Sequence, residues 1–199
     1  DIDRKDSTGA GDNHTDVSLE MGAAMAQKFG APYWSIHRAD LQTALLDAVR
    51  GLGTVRLIFG RKVSALKKND DQGLIVTCSS ATQSEDVSCR ALIGADGLWS
   101  NVAELIGPAK APEFLGYQAW RGLIPIQDWP SHLPKTESRL WLGSKAHLVH
   151  YPLRRGNTIN VVAVTSDAQN RPGWSHPGER HKITDRFREW APDAKDVIN

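Results

Sequence analysis

The stretch that says most about the fold is ALIGADGLWSNV, at residues 91–102. Its first half is apolar, as in a buried strand, and Gly94 and Gly97 then flank a single acidic residue, Asp96. Glycines let a backbone approach a ligand closely, and a carboxylate accepts hydrogen bonds from sugar hydroxyls. Because Asp-Gly is also a common turn pair, the motif alone is compatible with either a ligand-binding strand end or an ordinary turn.

A second informative stretch is HRADL, at residues 37–41, which opens a helix with Leu41 and Leu45 on one face and Gly51 at its end. Arg38 lies at the start of this helix. A helix N-terminus attracts anions, and a guanidinium binds phosphate oxygens in pairs, so a pyrophosphate fits both features. The alternative is an arginine that is simply solvated at the surface.

A third stretch, AHLVHYP, contains His147 and Tyr151 four residues apart. On a strand their side chains share one face with Val149 between them, and their Cα atoms are about 13 Å apart. This spacing admits an aromatic ring over Val149, where a phenol and an imidazole can handle a hydroxyl proton. His150 points to the opposite face. The alternative is a sheet face whose polar side chains reach water.

Composition and charge exclude several classes of protein. The 24 basic and 23 acidic residues give a net charge of +1, which predicts neither a nucleic-acid nor a membrane-surface partner. No apolar run reaches 18 residues, so no membrane span is expected. The two cysteines, Cys78 and Cys89, are too few for a disulfide framework or a metal cluster, and they favour a cytoplasmic protein. No GxGxxG follows a strand, and neither HExxH nor GxSxG occurs.

Periodicity and turn residues predict a chain of many strands and a few helices. Strands are predicted at APYWSI, TVRLIF, KVSALKK, LIVTCSS, VSCRALIGA, YQAWRGLIPI, RLWLG, AHLVHYPL and TINVVAVT. A short helix is predicted at SNVAELIG, with Ser100 as its N-cap. A last helix carries Ile183, Phe187 and Trp190 on one face, and we expect it to end at Pro192.

The cluster of Pro and Gly in GPAKAPEFLG predicts a domain boundary. Strands and helices mix before it, and sheet dominates after it. The expected class is therefore α/β (α+β), with one domain at residues 1–107 and a mostly antiparallel β-sheet domain with a C-terminal helix at residues 108–199.

Four segments, taken in order, resemble the group A flavin-dependent aromatic monooxygenases, in particular the salicylate hydroxylase-like branch. They are FGAPYWSIHRADL, ALIGADGLWSNV, AWRGLIP and HLVHYPL. The resemblance extends from about Gly22 to Val164. It implies a partial domain for binding FAD and NAD(P)H, followed by a sheet domain that binds the substrate.

The resemblance also implies roles for individual residues. Arg38 matches the arginine near the flavin pyrophosphate, and Asp96 with Gly97 matches the DG fingerprint associated with FAD and NAD(P)H. His147 and Tyr151 match positions that line the aromatic substrate site in some members, and they are the expected catalytic residues. No metal is expected.

The activity implied by the resemblance is hydroxylation of a phenolic or salicylate-like ring. NAD(P)H reduces FAD, and O2 then forms a flavin C4a-hydroperoxide that transfers oxygen to the substrate. The family's N-terminal GxGxxG strand and its later GD segment are absent from these 199 residues, and Ala103 stands where the family often has Arg. We therefore expect a middle fragment of a longer enzyme that is inactive by itself and binds FAD weakly or not at all.

Two other functions remain open at this point. One is a related flavin epoxidase or reductase on a similar scaffold. The other is a non-catalytic remnant of the substrate domain that binds an aromatic ligand or a partner chain. A homodimer that covers open sheet edges is compatible with each of them.

Overall fold

A computed structural model of the chain describes residues 3–6, 15–18, 22–70, 73–167, 169, 173 and 175–199. Helices occupy five segments of these described residues: α1 (Ala23–Phe29), α2 (Arg38–Arg50), α3 (Asn101–Ile106), α4 (Arg180–Arg186) and α5 (Pro192–Ile198). Short 3₁₀ turns occupy Ile126–Asp128 and Arg154–Gly156.

Strands in the described part of the chain form three sheets. The strands are β1 (Asp3–Asp6), β2 (Thr15–Ser18), β3 (Lys62–Lys68), β4 (Leu74–Ser79), β5 (Ser84–Cys89), β6 (Tyr117–Pro125), β7 (Arg139–Gly143), β8 (Ala146–Leu153) and β9 (Thr158–Ser166). β1 pairs with β2, the second sheet has the order β3-β4-β5, and the third has the order β6-β9-β8-β7. The pairs β1–β2, β3–β4, β4–β5 and β7–β8 are antiparallel. This mixture of helices and antiparallel sheet confirms the predicted class.

The chain divides into two compact units. The first comprises Asp1–Leu41, Arg121–Ala163 and Arg180–Asn199, and the second comprises Gln42–Trp120 and Val164–Glu179. The boundary predicted between residues 107 and 108 stays a prediction.

The second unit contains the three-stranded sheet, against which α3 packs through β3. Val76 in the middle strand and Val102 in α3 are both buried. Gly94 lies so close to α3 that a Cβ atom added there would be 2.8 Å from Val102 Cγ1. This close packing explains why a glycine stands at the end of the apolar run.

The first unit has its core on one face of β8 and β9, where burial alternates along both strands. Leu148 and Ile159 are completely buried. Phe187 from the α4 end is also buried, and its ring lies 4.4 Å from that of Trp190. Alternation of this kind is the period-two pattern of a sheet that covers a core with one face.

Most predicted elements are present. The structure confirms the helix at α2 and the strands at β3, β4 and β6 through β9. It also confirms α3 with its cap, since the Ser100 hydroxyl accepts a hydrogen bond from the Ala103 N–H at 3.0 Å.

Three predicted strands are wrong in whole or in part. Residues 31–36 and 54–59 form no strand, and the strand predicted at VSCRALIGA ends at β5, so that residues 90–95 lie outside it. A strand needs a neighbouring backbone to bond with, and none of these runs pairs with another described segment. Their apolar side chains are accordingly exposed, Ile93 by 87% and Trp34 by 81%.

The end of the last predicted helix is also wrong. Ile183 and Phe187 are buried as expected, but α4 ends at Arg186, and Pro192 begins α5 as its first residue. Proline suits that position, because its φ is already helical and the first N–H of a helix has no helical partner.

Candidate functional site

The loop that follows the apolar run is organised around the Asp96 carboxylate. Its Oδ2 atom accepts hydrogen bonds from the backbone N–H groups of Asn101 at 2.8 Å and Val102 at 3.1 Å, and its Oδ1 atom accepts one from the Ser100 hydroxyl. Asp96 and Ser100 together therefore satisfy the free donors at the start of α3.

These hydrogen bonds lower the pKa of Asp96 from its ordinary value. The hydroxyl of Ser100 contributes most, and the N–H of Val102 follows. All three donors favour the charged form, so Asp96 is an anion held against a helix start. The carboxylate predicted to face a nucleotide is thus bonded to its own chain, although Oδ1, which accepts only the Ser100 hydroxyl, can accept a further hydrogen bond.

Gly97, next to Asp96, has a left-handed backbone with φ +80°. Apart from its chain neighbours, no atom of the described residues lies within 4 Å of the position a Cβ would take. A side chain here would strain the backbone and fill open space beside it. Glycine therefore keeps this turn both possible and accessible.

At the start of α2, Arg38 is exposed, and Asp40 binds a residue that lies outside the helix. Arg154 donates two hydrogen bonds to Asp40, from Nε to Oδ2 at 2.9 Å and from Nη2 to Oδ1 at 2.8 Å. The hydrogen bond from Arg154 lowers the pKa of Asp40, and the same contact raises the pKa of Arg154. His37 Nδ1 lies 3.9 Å from Asp40 Oδ1.

β8 places His147, Val149 and Tyr151 on one face, and all three are half-buried. The antiparallel register sets Leu142 opposite His147 and Leu140 opposite Val149. Because opposed residues share a face, the two leucines extend the same surface, where they are 78% and 56% exposed. We call these five residues the open face: an apolar platform with an imidazole and a phenol.

The opposite face of β8 carries a group whose environment the sequence did not predict. His150 is fully buried, with its ring centroid 4.8 Å from that of Trp129 and 5.3 Å from that of Trp141. Among the described residues, neither ring nitrogen of His150 has a hydrogen-bond partner, and the indole N–H of Trp129 has none either. Burial, assisted by the charge of Arg139, lowers the pKa of His150 to about 4, so this imidazole is neutral at pH 7.

The structure distributes the predicted site residues over its two units. Arg38, His147 and Tyr151 belong to the first, and Asp96 and Gly97 belong to the second. The sequence analysis missed Arg154, which the structure joins to Asp40. The pairing connects positions 114 residues apart, and no local signal in the sequence relates them.

Among the described residues, no group of three or more His, Cys, Asp or Glu side chains is placed to hold a metal ion. In the same part of the chain, no helix combines the length and apolarity needed to cross a membrane. Cys78 and Cys89 are free thiols.

Residues 4–195 match the family described as FAD binding domain. This match covers nearly the whole chain, and the chain therefore belongs to that family. The predicted resemblance to FAD-dependent aromatic monooxygenases is confirmed at this level, and the family match supports FAD as the cofactor.

Two named enzymes are similar to the chain in sequence. The chain is 30% identical over 175 residues to 3-hydroxybenzoate 6-hydroxylase 1 of Aquipseudomonas alcaligenes, a match that covers 86% of this chain and 43% of that enzyme. It is 31% identical over 182 residues to 3-hydroxybenzoate 6-hydroxylase of Polaromonas naphthalenivorans, covering 91% and 44%. The chain thus spans less than half of the length of these two relatives.

Solved structures show the same fold. A salicylate hydroxylase in complex with its substrate aligns with a TM-score of 0.65 and 23% identity, over 85% of this chain and 44% of that one. CtdE in complex with FAD aligns with a TM-score of 0.64 and 14% identity, over 81% of this chain and 43% of that one.

Proposed function

We propose that these residues belong to a flavin-dependent monooxygenase that hydroxylates a phenolic or hydroxybenzoate-like ring with NAD(P)H and O2. The observation that carries the proposal is the open face of β8, where His147 and Tyr151 flank Val149 on an apolar surface. Membership of the FAD binding domain family and the relatives that hydroxylate 3-hydroxybenzoate support it.

The residues present fit a bound FAD. Arg38 offers an exposed guanidinium at the start of a thirteen-residue helix, where the helix dipole also favours a pyrophosphate. Gly97 leaves open space beside a left-handed turn, as a close approach to a ligand requires. When bound, FAD supplies the redox chemistry that activates O2.

The residues of the open face have separate tasks in this proposal. Val149, Leu140 and Leu142 contact the ring of the substrate and exclude water from it. The Tyr151 phenol donates a hydrogen bond to the substrate hydroxyl oxygen, and the neutral His147 imidazole accepts the hydroxyl proton, which makes the ring more electron-rich for oxygen transfer.

A titration of the chain with 3-hydroxybenzoate tests the substrate site. We expect the NMR signals of Val149 and Tyr151 to shift in a saturable way, while cyclohexane carboxylate, which has no aromatic ring, gives no saturable shift. Absence of saturable shifts with a panel of hydroxybenzoates would contradict the site.

A second experiment concerns the complete enzyme that contains these residues. We expect NAD(P)H oxidation that depends on the aromatic substrate, with one oxygen atom from ¹⁸O2 appearing in the product. Oxygen incorporation into an olefin would instead support the epoxidase alternative. Aromatic binding without any NAD(P)H oxidation would support the non-catalytic remnant.

We expect the 199-residue chain alone to bind FAD weakly, so that it purifies colourless.

Because β6 and β7 are the edge strands of the four-stranded sheet, a homodimer through one of them is the assembly we propose, testable by light scattering. The two free thiols favour a cytoplasmic location.

A further inference from the structure

We infer that the ion pair between Asp40 and Arg154 positions the first turn of α2, and through it holds Arg38 toward the FAD pyrophosphate. The inference rests on the proposed function, because it takes Arg38 as a pyrophosphate ligand. Asp40 and Arg154 are positioning residues in this account, and neither contacts the cofactor.

The contact between the two side chains has a defined geometry. Both carboxylate oxygens of Asp40 are bonded, each to a different nitrogen of Arg154, at 2.8 and 2.9 Å. A two-point contact fixes the orientation of both planar groups, which a single-point ion pair does not. Asp40 is therefore held in direction as well as in distance.

The arginine side of this pair belongs to a turn that is itself held firmly. Leu153, just before the turn, is buried, and the carbonyl of Asn157, just after it, accepts a hydrogen bond from the Ile126 N–H at 3.1 Å. Arg154 and Arg155 have left-handed backbones, with φ +51° and +59°. Residues other than glycine keep such a backbone only where their surroundings hold it.

The helix that carries Asp40 is not packed into a core. None of the thirteen residues of α2, all of which the structure describes, is buried. Leu41 and Leu45, the apolar residues nearest its start, are 42% and 58% exposed. Since packing does not fix this helix, the two hydrogen bonds from Arg154 weigh more in its position than an exposed ion pair ordinarily does.

The geometry of a helix connects this tether to Arg38. Residues two positions apart differ by about 200° around a helix axis, so Arg38 and Asp40 project from nearly opposite sides. When Arg154 binds Asp40 on one side, it sets the rotation of the first turn and therefore the direction of Arg38 on the other. A pyrophosphate ligand set in advance loses less conformational freedom on binding.

Hydrogen exchange tests the tether without any cofactor. Leu41 N–H donates to the His37 carbonyl at 3.1 Å in the first turn. We expect Asp40→Asn and Arg154→Gln to accelerate exchange of this amide roughly fivefold. The matched control is Asp47→Asn, which removes the exposed Asp47–Arg50 pair of the same helix. Unchanged exchange at Leu41 in both test variants would overturn the inference.

FAD binding tests the connection to Arg38. In NMR titrations of the chain with FAD, we expect Arg38→Ala to raise the Kd about tenfold and Asp40→Asn to raise it roughly fivefold. Adding Asp40→Asn to Arg38→Ala should raise the Kd no further, because the effect acts through Arg38. Asp40→Glu, which keeps the charge, should restore part of the affinity, and circular dichroism checks that each variant is folded.

The outcomes separate this inference from the proposed function. If Arg38→Ala weakens FAD binding and Asp40→Asn does not, the tether has no role and the proposed function stands. Equal weakening by Asp40→Asn with and without Arg38 would show a merely structural role and overturn the inference. If Arg38→Ala leaves the Kd of FAD unchanged, the assignment of Arg38 fails and the inference with it.

Discussion

The ring of His150 lies 4.8 Å from the ring of Trp129, and within the described part of the chain the buried nitrogens of both side chains have no hydrogen-bond partner. The imidazole occupies the apolar core of the sheet as a neutral group. Arg139, opposite it in the register and bound to Asp193 at 3.2 Å, adds a positive charge that opposes its protonation. A histidine in this environment ties the stability of the unit to pH.

We predict that the free energy of unfolding decreases as the pH falls from 6.5 to 4. The pKa of His150 is about 4 in the folded protein and 6.5, the ordinary histidine value, in the unfolded chain. Between these two pH values the unfolded chain therefore binds a proton that the folded chain does not. At about 1.4 kcal/mol per pKa unit, the contribution is about 3 kcal/mol. Urea unfolding between pH 4 and 7.5 measures it.

The variant His150→Leu should lose this part of the pH dependence, because a leucine cannot be protonated. His147→Leu, on the open face of the same strand, is the matched control and should keep it. An identical slope in the wild type and in His150→Leu would contradict the prediction.

We predict that Ser100→Ala destabilises the second unit by about 1 kcal/mol, because the Ala103 N–H loses its acceptor. Asp96→Asn should act in the same direction, since the charge that attracts the donors at the start of α3 is removed. Thermal unfolding measures both changes. Asp47→Asn, an exposed carboxylate on α2 outside this loop, is the control, and equal effects of Asp47→Asn and Asp96→Asn would argue against a capping role.

We predict that Gly143→Ala destabilises the first unit by about 1–3 kcal/mol. The added Cβ would lie 2.6 Å from Cζ2 of Trp190, so the indole or the strand has to move. Gly122→Ala, on β6, places its added Cβ more than 4 Å from every non-neighbouring atom that the structure describes, and it should be nearly neutral. Urea unfolding of both variants gives the comparison, and equal stability would show that Trp190 moves without cost.

We predict that Tyr151→Phe and His147→Gln lower the hydroxylation rate of the complete enzyme about a hundredfold each, because the first loses the hydrogen bond to the substrate oxygen and the second loses the base that accepts the hydroxyl proton. FAD content should not change, because neither residue is proposed to bind FAD. Product formation and NAD(P)H oxidation, followed together, measure the effect. Leu142→Ala, which alters only the apolar part of the open face, should raise KM more than it lowers kcat. Full hydroxylation by both polar variants would remove these residues from the mechanism.

The sequence correctly predicted the helices and strands whose apolar pattern, cap or end residue lies within the element or directly beside it. The helix at α2 has its own apolar stripe and ending glycine, and the cap of α3 needs only Ser100 and the backbone that follows. Burial alternates along the strands β8 and β9. The apolar runs at residues 31–36 and 54–59 were wrongly predicted, because an apolar run states only that a segment suits burial, whereas a strand also needs a paired backbone.

The sequence by itself determined the family, the order of the motifs and the shared face of His147 and Tyr151, because each depends on residue types at fixed short spacing. Tertiary structure alone decided that Asp96 binds the start of α3, that Arg154 reaches Asp40, and that His150 is buried between two tryptophans. These contacts depend on which side chains the folded backbone brings within about 3–5 Å of one another. Asp40 and Arg154 are 114 residues apart in the sequence, so no local pattern predicts that they are in contact.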